Sequence, residues 1–246
     1  MESENRNLIT FEKILGQYSI AGALCSNADV VDFVDDTKQG ILVVDTCGHN
    51  IEDGNEMRNF VRRTIEGGWG IEGNAEQELK KLGQMFNSLR KPGESQFVDK
   101  WYTCVSASYT QFDNDLITIA MGGALGKTYI LRLDETLIIN HMDRVIDYDY
   151  QKKHKPAYET RLENDDILFL QTDGFLDNII KKSLKKGIEW EVADETANKL
   201  LDDLLREFQK EPVNVIRNAL VNSLKQYFLP LSNRDDDTTF VIVKYI

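Results

Sequence analysis

The stretch Ile41-Leu-Val-Val-Asp-Thr-Cys-Gly-His-Asn50 constrains this chain more than any other. Four consecutive aliphatic residues leave no polar face for water, so they read as a strand buried on both sides. The strand runs directly into a carboxylate, Asp45, and then into a glycine-containing turn ending at His49. An acid at the end of a fully apolar strand is held rigidly, which suits a ligand site. Alternatively, Asp45 caps a helix that starts near Ile51. The device recurs twice. Ile167-Leu-Phe-Leu-Gln-Thr-Asp-Gly174 is an apolar strand ending in Asp173, and in Asn233-Arg-Asp-Asp-Asp-Thr-Thr-Phe-Val-Ile-Val-Lys244 an acidic turn precedes the last apolar strand. Three strand ends therefore present acids able to serve a single site at one end of a sheet. Carboxylates gathered in this way repel one another unless a cation neutralises them. An all-oxygen donor set favours magnesium, manganese or calcium over zinc.

Composition narrows the classes of function. At 246 residues the chain has room for one large domain or two small ones and for a sizeable core. Only four prolines occur and no Ser/Gly-rich linker divides the chain, so residues 1–246 read as one domain. A formal net charge of −12 argues against nucleic acid or an anionic membrane surface as the main partner. No apolar run has transmembrane length, and Met1-Glu-Ser-Glu-Asn lacks the basic and apolar regions of a signal peptide. Cys25, Cys47 and Cys104 are too few and too scattered for a disulfide framework or a zinc site. A cytoplasmic protein is the expectation.

Periodicity then orders the elements. Residues up to about Phe11 read as a lead-in, followed by short strands at Lys13–Ile20 and Ala28–Val34, the second carrying Asp29 and Asp32. The turn at 35–40 makes residues 28–45 a β-hairpin. Met57, Phe60, Val61 and Ile65 share one helical face before Gly67-Gly-Trp-Gly70 stops it. A second helix over about Ala75–Leu89 aligns Leu79, Leu82, Met85, Phe86 and Leu89. The charged faces of both helices read as solvated surface. Residues 101–109, 116–121 and 128–133 predict an antiparallel meander, with 136–140 as one more strand and 147–160 as a loop or flap. After the Asp173 strand come helices over 175–186, about 192–210 and 212–228, the last opened by Pro212, and a final strand over 239–245. This order predicts an α+β domain with two sheets stacked inside helical layers.

Four motifs carry a family resemblance. Asp45-Thr-Cys-Gly-His-Asn50 resembles the Asp-x-x-Gly-His-Gly signature of the bacterial SpoIIE/RsbU-type serine phosphatases, in the metal-dependent type 2C protein phosphatase superfamily. Leu170-Gln-Thr-Asp-Gly174 resembles its Ser/Thr-Asp-Gly motif, and Asp236-Asp-Thr-Thr239 its Asp-Asp-x-Thr motif. Asn27-Ala-Asp-Val-Val-Asp32 stands where the family has Gly-Gly-Asp-x-x-Asp. The order and spacing of all four agree over nearly the whole chain. The resemblance implies a four-layer αββα sandwich, two mostly antiparallel sheets flanked by helices, with two divalent ions, Mn or Mg. It implies Asp45 as a ligand of both ions, the Thr46 carbonyl as a further ligand, and Asp173 and Asp236 as the other protein carboxylates. Asp29 would hydrogen-bond metal-bound water, and Asp177 could touch an accessory third metal. It implies hydrolysis of a phosphoserine or phosphothreonine on a regulatory protein by a metal-activated water in line with the phosphorus, with no covalent intermediate. An activating partner would act on the helices at about 54–89, and the substrate could be an anti-sigma-factor antagonist domain.

The family's two glycines before Asp29 are here Asn27 and Ala28, and the last glycine of its Gly-His-Gly is Asn50, a residue that tolerates a left-handed conformation. Neither change removes a ligand. His49 suits a general acid for the leaving oxygen, or a turn residue bonding the backbone. Cys47 lacks the phosphate loop and following Arg of a cysteine nucleophile. Gly122, Gly123 and Gly126 match no nucleotide motif and read as turn glycines. Residues 233–237 lack the spacing of an EF-hand. The alternative function is a pseudophosphatase, a binding module of the same fold that recognises a partner protein. Retention of Asp45, Asp173 and Asp236 favours the enzyme, because a binding module has no need of three mutually repelling acids.

Overall fold

The computed structural model describes residues 8–25, 29–35, 38–46, 51–70, 73–89, 105–122, 127–140, 157–228 and 237–246. In chain order they form β1 (Leu8–Leu15), β2 (Tyr18–Cys25), β3 (Val30–Asp35), β4 (Gln39–Thr46), α1 (Ile51–Glu66), α2 (Ala75–Leu89), β5 (Val105–Asp113) and β6 (Leu116–Gly122). Then follow β7 (Lys127–Leu131), β8 (Thr136–Asn140), β9 (Tyr158–Thr160), β10 (Ile167–Gln171), α3 (Asp173–Leu184), α4 (Trp190–Glu207), α5 (Val213–Phe228) and β11 (Thr238–Tyr245). Every strand pairing among them is antiparallel. The class is α+β, as the sequence predicts. No helix among the described residues is long and apolar enough to cross a membrane.

The chain divides into two compact units, one of 1–26, 126–140 and 162–246, the other of 27–125 and 141–161. The first holds a six-stranded sheet in the order β1-β2-β11-β10-β7-β8. Alternation along its strands sends Ala21, Ala23, Tyr129, Leu131, Ile167, Phe169, Phe240 and Ile242 to one face, where α3, α4 and α5 close a core over them. Phe169, Phe175 and Phe240 form its centre. The Phe175 ring stands edge-on to both Phe169 and Phe240 at 5.4 Å, and Phe169 stacks on Phe240 at 5.6 Å. Three aromatic rings in mutual contact therefore lock α3 onto β10 and β11.

The second unit holds a five-stranded sheet in the order β3-β4-β5-β6-β9. Val30, Val34, Leu42, Val44, Ala107, Tyr109 and Ala120 line the face covered by α1 and α2, which bring Val61, Leu79 and Leu82. The start of α2 follows from a reciprocal cap: the Gln77 N–H donates to Asn74 Oδ1 at 2.9 Å, and the Asn74 N–H donates to Gln77 Oε1 at 3.1 Å.

Three expectations change. Within the lead-in, Leu8–Phe11 is already strand, and the single strand expected over Lys13–Ile20 is instead a hairpin turning at Gly16-Gln17, because β1 pairs with β2 along all eight of its residues. The meander does not continue from β6 to β7. β6 pairs with β9, at the end of the stretch expected to be a loop, while β7 pairs with β10 and β8 in the other sheet. Alternation marks 127–131 as a strand but says nothing of its neighbour; Tyr129 meets Phe169 across the β7–β10 ladder, ring to ring at 6.1 Å. Finally, one acid on the charged face of α2 is no surface residue. Glu78 is 1% exposed. It accepts the N–H groups of Gly70 and Gly73 at 2.8 Å each and the Lys81 ammonium at 2.7 Å.

Candidate functional site

The acids singled out in the sequence emerge from two sheets rather than one. In the five-stranded sheet, Val30 pairs with Val44, so the next step of the ladder sets Asp29 across from Asp45. Asp45 in turn pairs with Ser106 of β5, and Thr46 ends the strand opposite Val105. Alternation puts Asp29, Asp45 and Ser106 on the face opposite Val44 and Leu42, away from α1 and α2. Ser108 and Thr110 continue that face and are fully buried. Asp29 is fully buried as well, while Asp45 is half-buried. Asp32, three residues after Asp29, falls on the other face by the same alternation. It accepts the Phe33 N–H at 2.8 Å. The Asp-x-x-Asp stretch thus sends one acid to each face.

In the six-stranded sheet the β10–β11 pair ends at Gln171 opposite Phe240. Past it, the Thr172 N–H donates to the Thr239 carbonyl at 3.0 Å, and the Thr239 N–H donates to Thr172 Oγ1 at 3.1 Å. The ladder is extended by one residue with a side chain as acceptor. That use of its hydroxyl explains why Thr172, although the N-cap of α3, caps nothing with its side chain. Asp173 is the first residue of α3 and half-buried, in the first turn where the helix dipole favours a negative charge. Asp177 stands one turn later, also half-buried. Across the ladder, Asp237 immediately precedes β11 and is 3% exposed. Asp173 and Asp237 therefore lie at the same end of one strand pair.

Comparison with solved structures ties this arrangement to a known fold. The SiaA-PP2C domain of Pseudomonas aeruginosa matches 97% of this chain and 85% of its own, with a TM-score of 0.63 and 18% identity. The chain has the type 2C phosphatase fold. The PP2C phosphatase domain and regulatory fragment of SpoIIE from Bacillus subtilis matches 96% of this chain and 62% of its own, with TM-score 0.61 and 13% identity. RsbX in complex with magnesium matches 97% and 100%, with TM-score 0.60 and 13% identity. No family model and no curated protein matches the chain. The likeness to the SpoIIE/RsbU group read from four motifs therefore holds for the fold.

The donor chemistry at the end of β4 fits a hard divalent ion. Asp29 and Asp45 sit across from each other with like charge at one strand end, and Asp29 is removed from water; a divalent cation offsets the cost of both. Carboxylates, a backbone carbonyl and hydroxyls supply oxygen alone, the donor set of magnesium or manganese. His49 and Asp236 lie outside the described residues. Among the described residues no three His, Cys, Asp or Glu side chains gather as metal ligands.

Sequence reasoning missed two features. Thr172 reads as the residue before the acid, and nothing local tells that its hydroxyl closes the ladder to β11. Asn178 is 3% exposed, and its Nδ2 donates to Thr238 Oγ1 at 2.9 Å. The signal for it was an uncharged polar residue between Phe175-Leu176 and Ile179-Ile180 of α3, five positions after Asp173.

Proposed function

We propose that the protein is a metal-dependent serine/threonine protein phosphatase acting on a phosphorylated regulatory protein. One observation carries the reading above the rest: the antiparallel register of β3 and β4 brings Asp29 level with Asp45 at the end of an apolar strand, on the fold of the type 2C phosphatases. Asp45, the Thr46 carbonyl, Asp173 and Asp236 would hold two divalent ions, Mn or Mg, and Asp29 would hydrogen-bond metal-bound water. The ions, when bound, lower the pKa of a water and offset charge on the phosphoryl oxygens. Asp29 would orient a water for attack in line with the phosphorus, and His49 would give a proton to the departing serine or threonine oxygen. The magnesium in the RsbX structure supports a divalent ion for this donor set. We read residues 1–246 as one catalytic domain. An activating partner at about 54–89 and a cytoplasmic location complete the reading.

The test is hydrolysis of an aryl phosphate with and without manganese, for the wild type and Asp173→Asn, alongside calorimetric manganese titration. Turnover that requires manganese and disappears in the variant is the expected result. A wild-type protein that binds no manganese overturns the proposal.

A further inference from the structure

We propose that the corner between α3 and α4 is a docking surface for an anionic membrane, which holds the protein on the lipid with Asp173 at the far end of α3. The inference goes beyond the proposed activity and does not depend on it.

The corner is built by local chemistry. Gly187, at φ +80°, lets the chain reverse after α3. The Gly187 N–H donates to the Leu184 carbonyl at 2.9 Å and the Ile188 N–H to the Ser183 carbonyl at 3.4 Å, the paired bonds of a Schellman turn. A Cβ placed on Gly187 would meet nothing within 4 Å, so the turn projects into open space. Beside it stand four lysines within six positions, Lys181, Lys182, Lys185 and Lys186. Three exposed apolar side chains follow within five, Ile188 at 37%, Trp190 at 54% and Val192 at 51%. The lysines alone have an ordinary explanation, since cations suit the negative end of a helix dipole. Single exposed apolar residues are ordinary as well. Three so close together are not: among the described residues no other five-residue stretch exposes as many large apolar side chains. Glu189 and Glu191 stand at the start of α4, where the dipole favours acids. Four lysines less two glutamates leave residues 181–192 at +2, in a chain whose net charge is −12.

This is the chemistry of an interfacial anchor. A tryptophan with aliphatic neighbours partitions into the headgroup boundary, and lysines beside it are drawn to anionic lipid. The charge of the whole chain opposes docking only weakly, because charges more than about 8–10 Å away are screened at physiological ionic strength. A protein partner must offer a pocket shaped for a projecting corner, whereas the fluid headgroup layer closes around it. Asp173 opens α3 and the corner ends it, so the 12 residues of the helix set that acid roughly 18 Å from the docked end.

The experiment is co-sedimentation of the full chain with vesicles of phosphatidylcholine alone and of equal parts phosphatidylcholine and phosphatidylserine. It compares the wild type, Trp190→Ala and the double variant Lys185→Gln/Lys186→Gln. The replaced side chains are exposed, so each variant should unfold near the wild-type midpoint. The wild type is expected to bind the mixed vesicles and not phosphatidylcholine alone. At roughly 5-fold per lysine, the double variant should bind about 10-fold or more weakly. Trp190→Ala should bind weaker by on the order of 10-fold. Tryptophan emission adds a local readout: mixed vesicles should shift it to the blue in the wild type and leave it unmoved in Trp190→Phe. Wild-type strength in either binding variant, equal binding to both vesicle types, or a blue shift that persists in Trp190→Phe overturns the proposal. So does a wild type that sediments with neither vesicle. If that protein is instead retained on immobilised poly-glutamate, and the lysine variant is not, the corner belongs to an acidic protein segment and the membrane assignment is wrong.

Discussion

Replacing Glu78 by alanine tests how the second unit holds together. Its carboxylate is buried in the α1–α2 connection and accepts two backbone N–H groups, those of Gly70 and Gly73, with Lys81 as third donor. That connection is otherwise held by the Trp69 indole, which donates to the Glu78 carbonyl at 2.8 Å, and by bonds from β5, where Tyr109 reaches the Gly70 carbonyl and Gln111 the Gly73 carbonyl. Alanine leaves the Gly70 and Gly73 donors buried without an acceptor. At ~1–3 kcal/mol for each orphaned donor the loss is about 2–6 kcal/mol, a large share of a typical domain's stability. For a chain of this size that lowers the unfolding midpoint by roughly 4–24 °C. Glutamine should fare little better, because its amide NH₂ confronts one of the two donors. Lys81 is half exposed, so Lys81→Met should cost only about 0–1 kcal/mol. The loss should also depend on pH. Burial pushes the Glu78 carboxyl up, but the bonds from Lys81, Gly70 and Gly73 outweigh it and hold the group below its ordinary 4.5. A depressed folded value means that the carboxylate's contribution is complete above 4.5 and is lost as pH falls through the lower folded value. The gap between wild type and Glu78→Gln, followed by urea unfolding, should therefore be widest at neutral pH and narrow below 4.5. An alanine variant that unfolds within about 1 °C of the wild type, against the shift expected from two orphaned donors, refutes the reasoning.

Two further outcomes follow from packing. Phe175→Ala removes a fully buried ring held against Phe169 and Phe240, and should cost ~3–5 kcal/mol in urea unfolding, with Phe175→Leu less damaging. Gly22→Ala would set a methyl group against the Phe240 carbonyl and the Phe11 ring; the backbone carbonyl of a central strand cannot retreat, so the variant should unfold at least ~1–3 kcal/mol earlier, and an unchanged midpoint would contradict the tight β2–β11 approach.

The elements were legible in the sequence to the extent that their signals are local. The apolar runs at 41–44 and 167–170 are strands because no face of them is polar, and α2 begins at Ala75 because Asn74 and Gln77 cap each other. The acids at strand ends could be picked out for the same reason, since Asp45 and Asp173 follow their strands directly in the chain. Even the separation of Asp29 from Asp32 onto opposite faces is a matter of counting by two.

What the tertiary structure decided is non-local. The apolar pattern of 127–131 suits either sheet, and only the meeting of Tyr129 with Phe169 across the ladder assigns it to β10. Glu78 looks like any surface acid until the chain turns back to offer it the N–H groups of Gly70 and Gly73. Asn178 and Thr238 are 60 positions apart, so no local window relates them. Sequence alone therefore determined which residues form strands and helices and where acids stand at their ends, because backbone preference and alternation act over a few residues. Partners of strands, and the partners of buried polar groups, depend on which distant atoms the folded chain brings within hydrogen-bonding reach, and that only the tertiary structure decided.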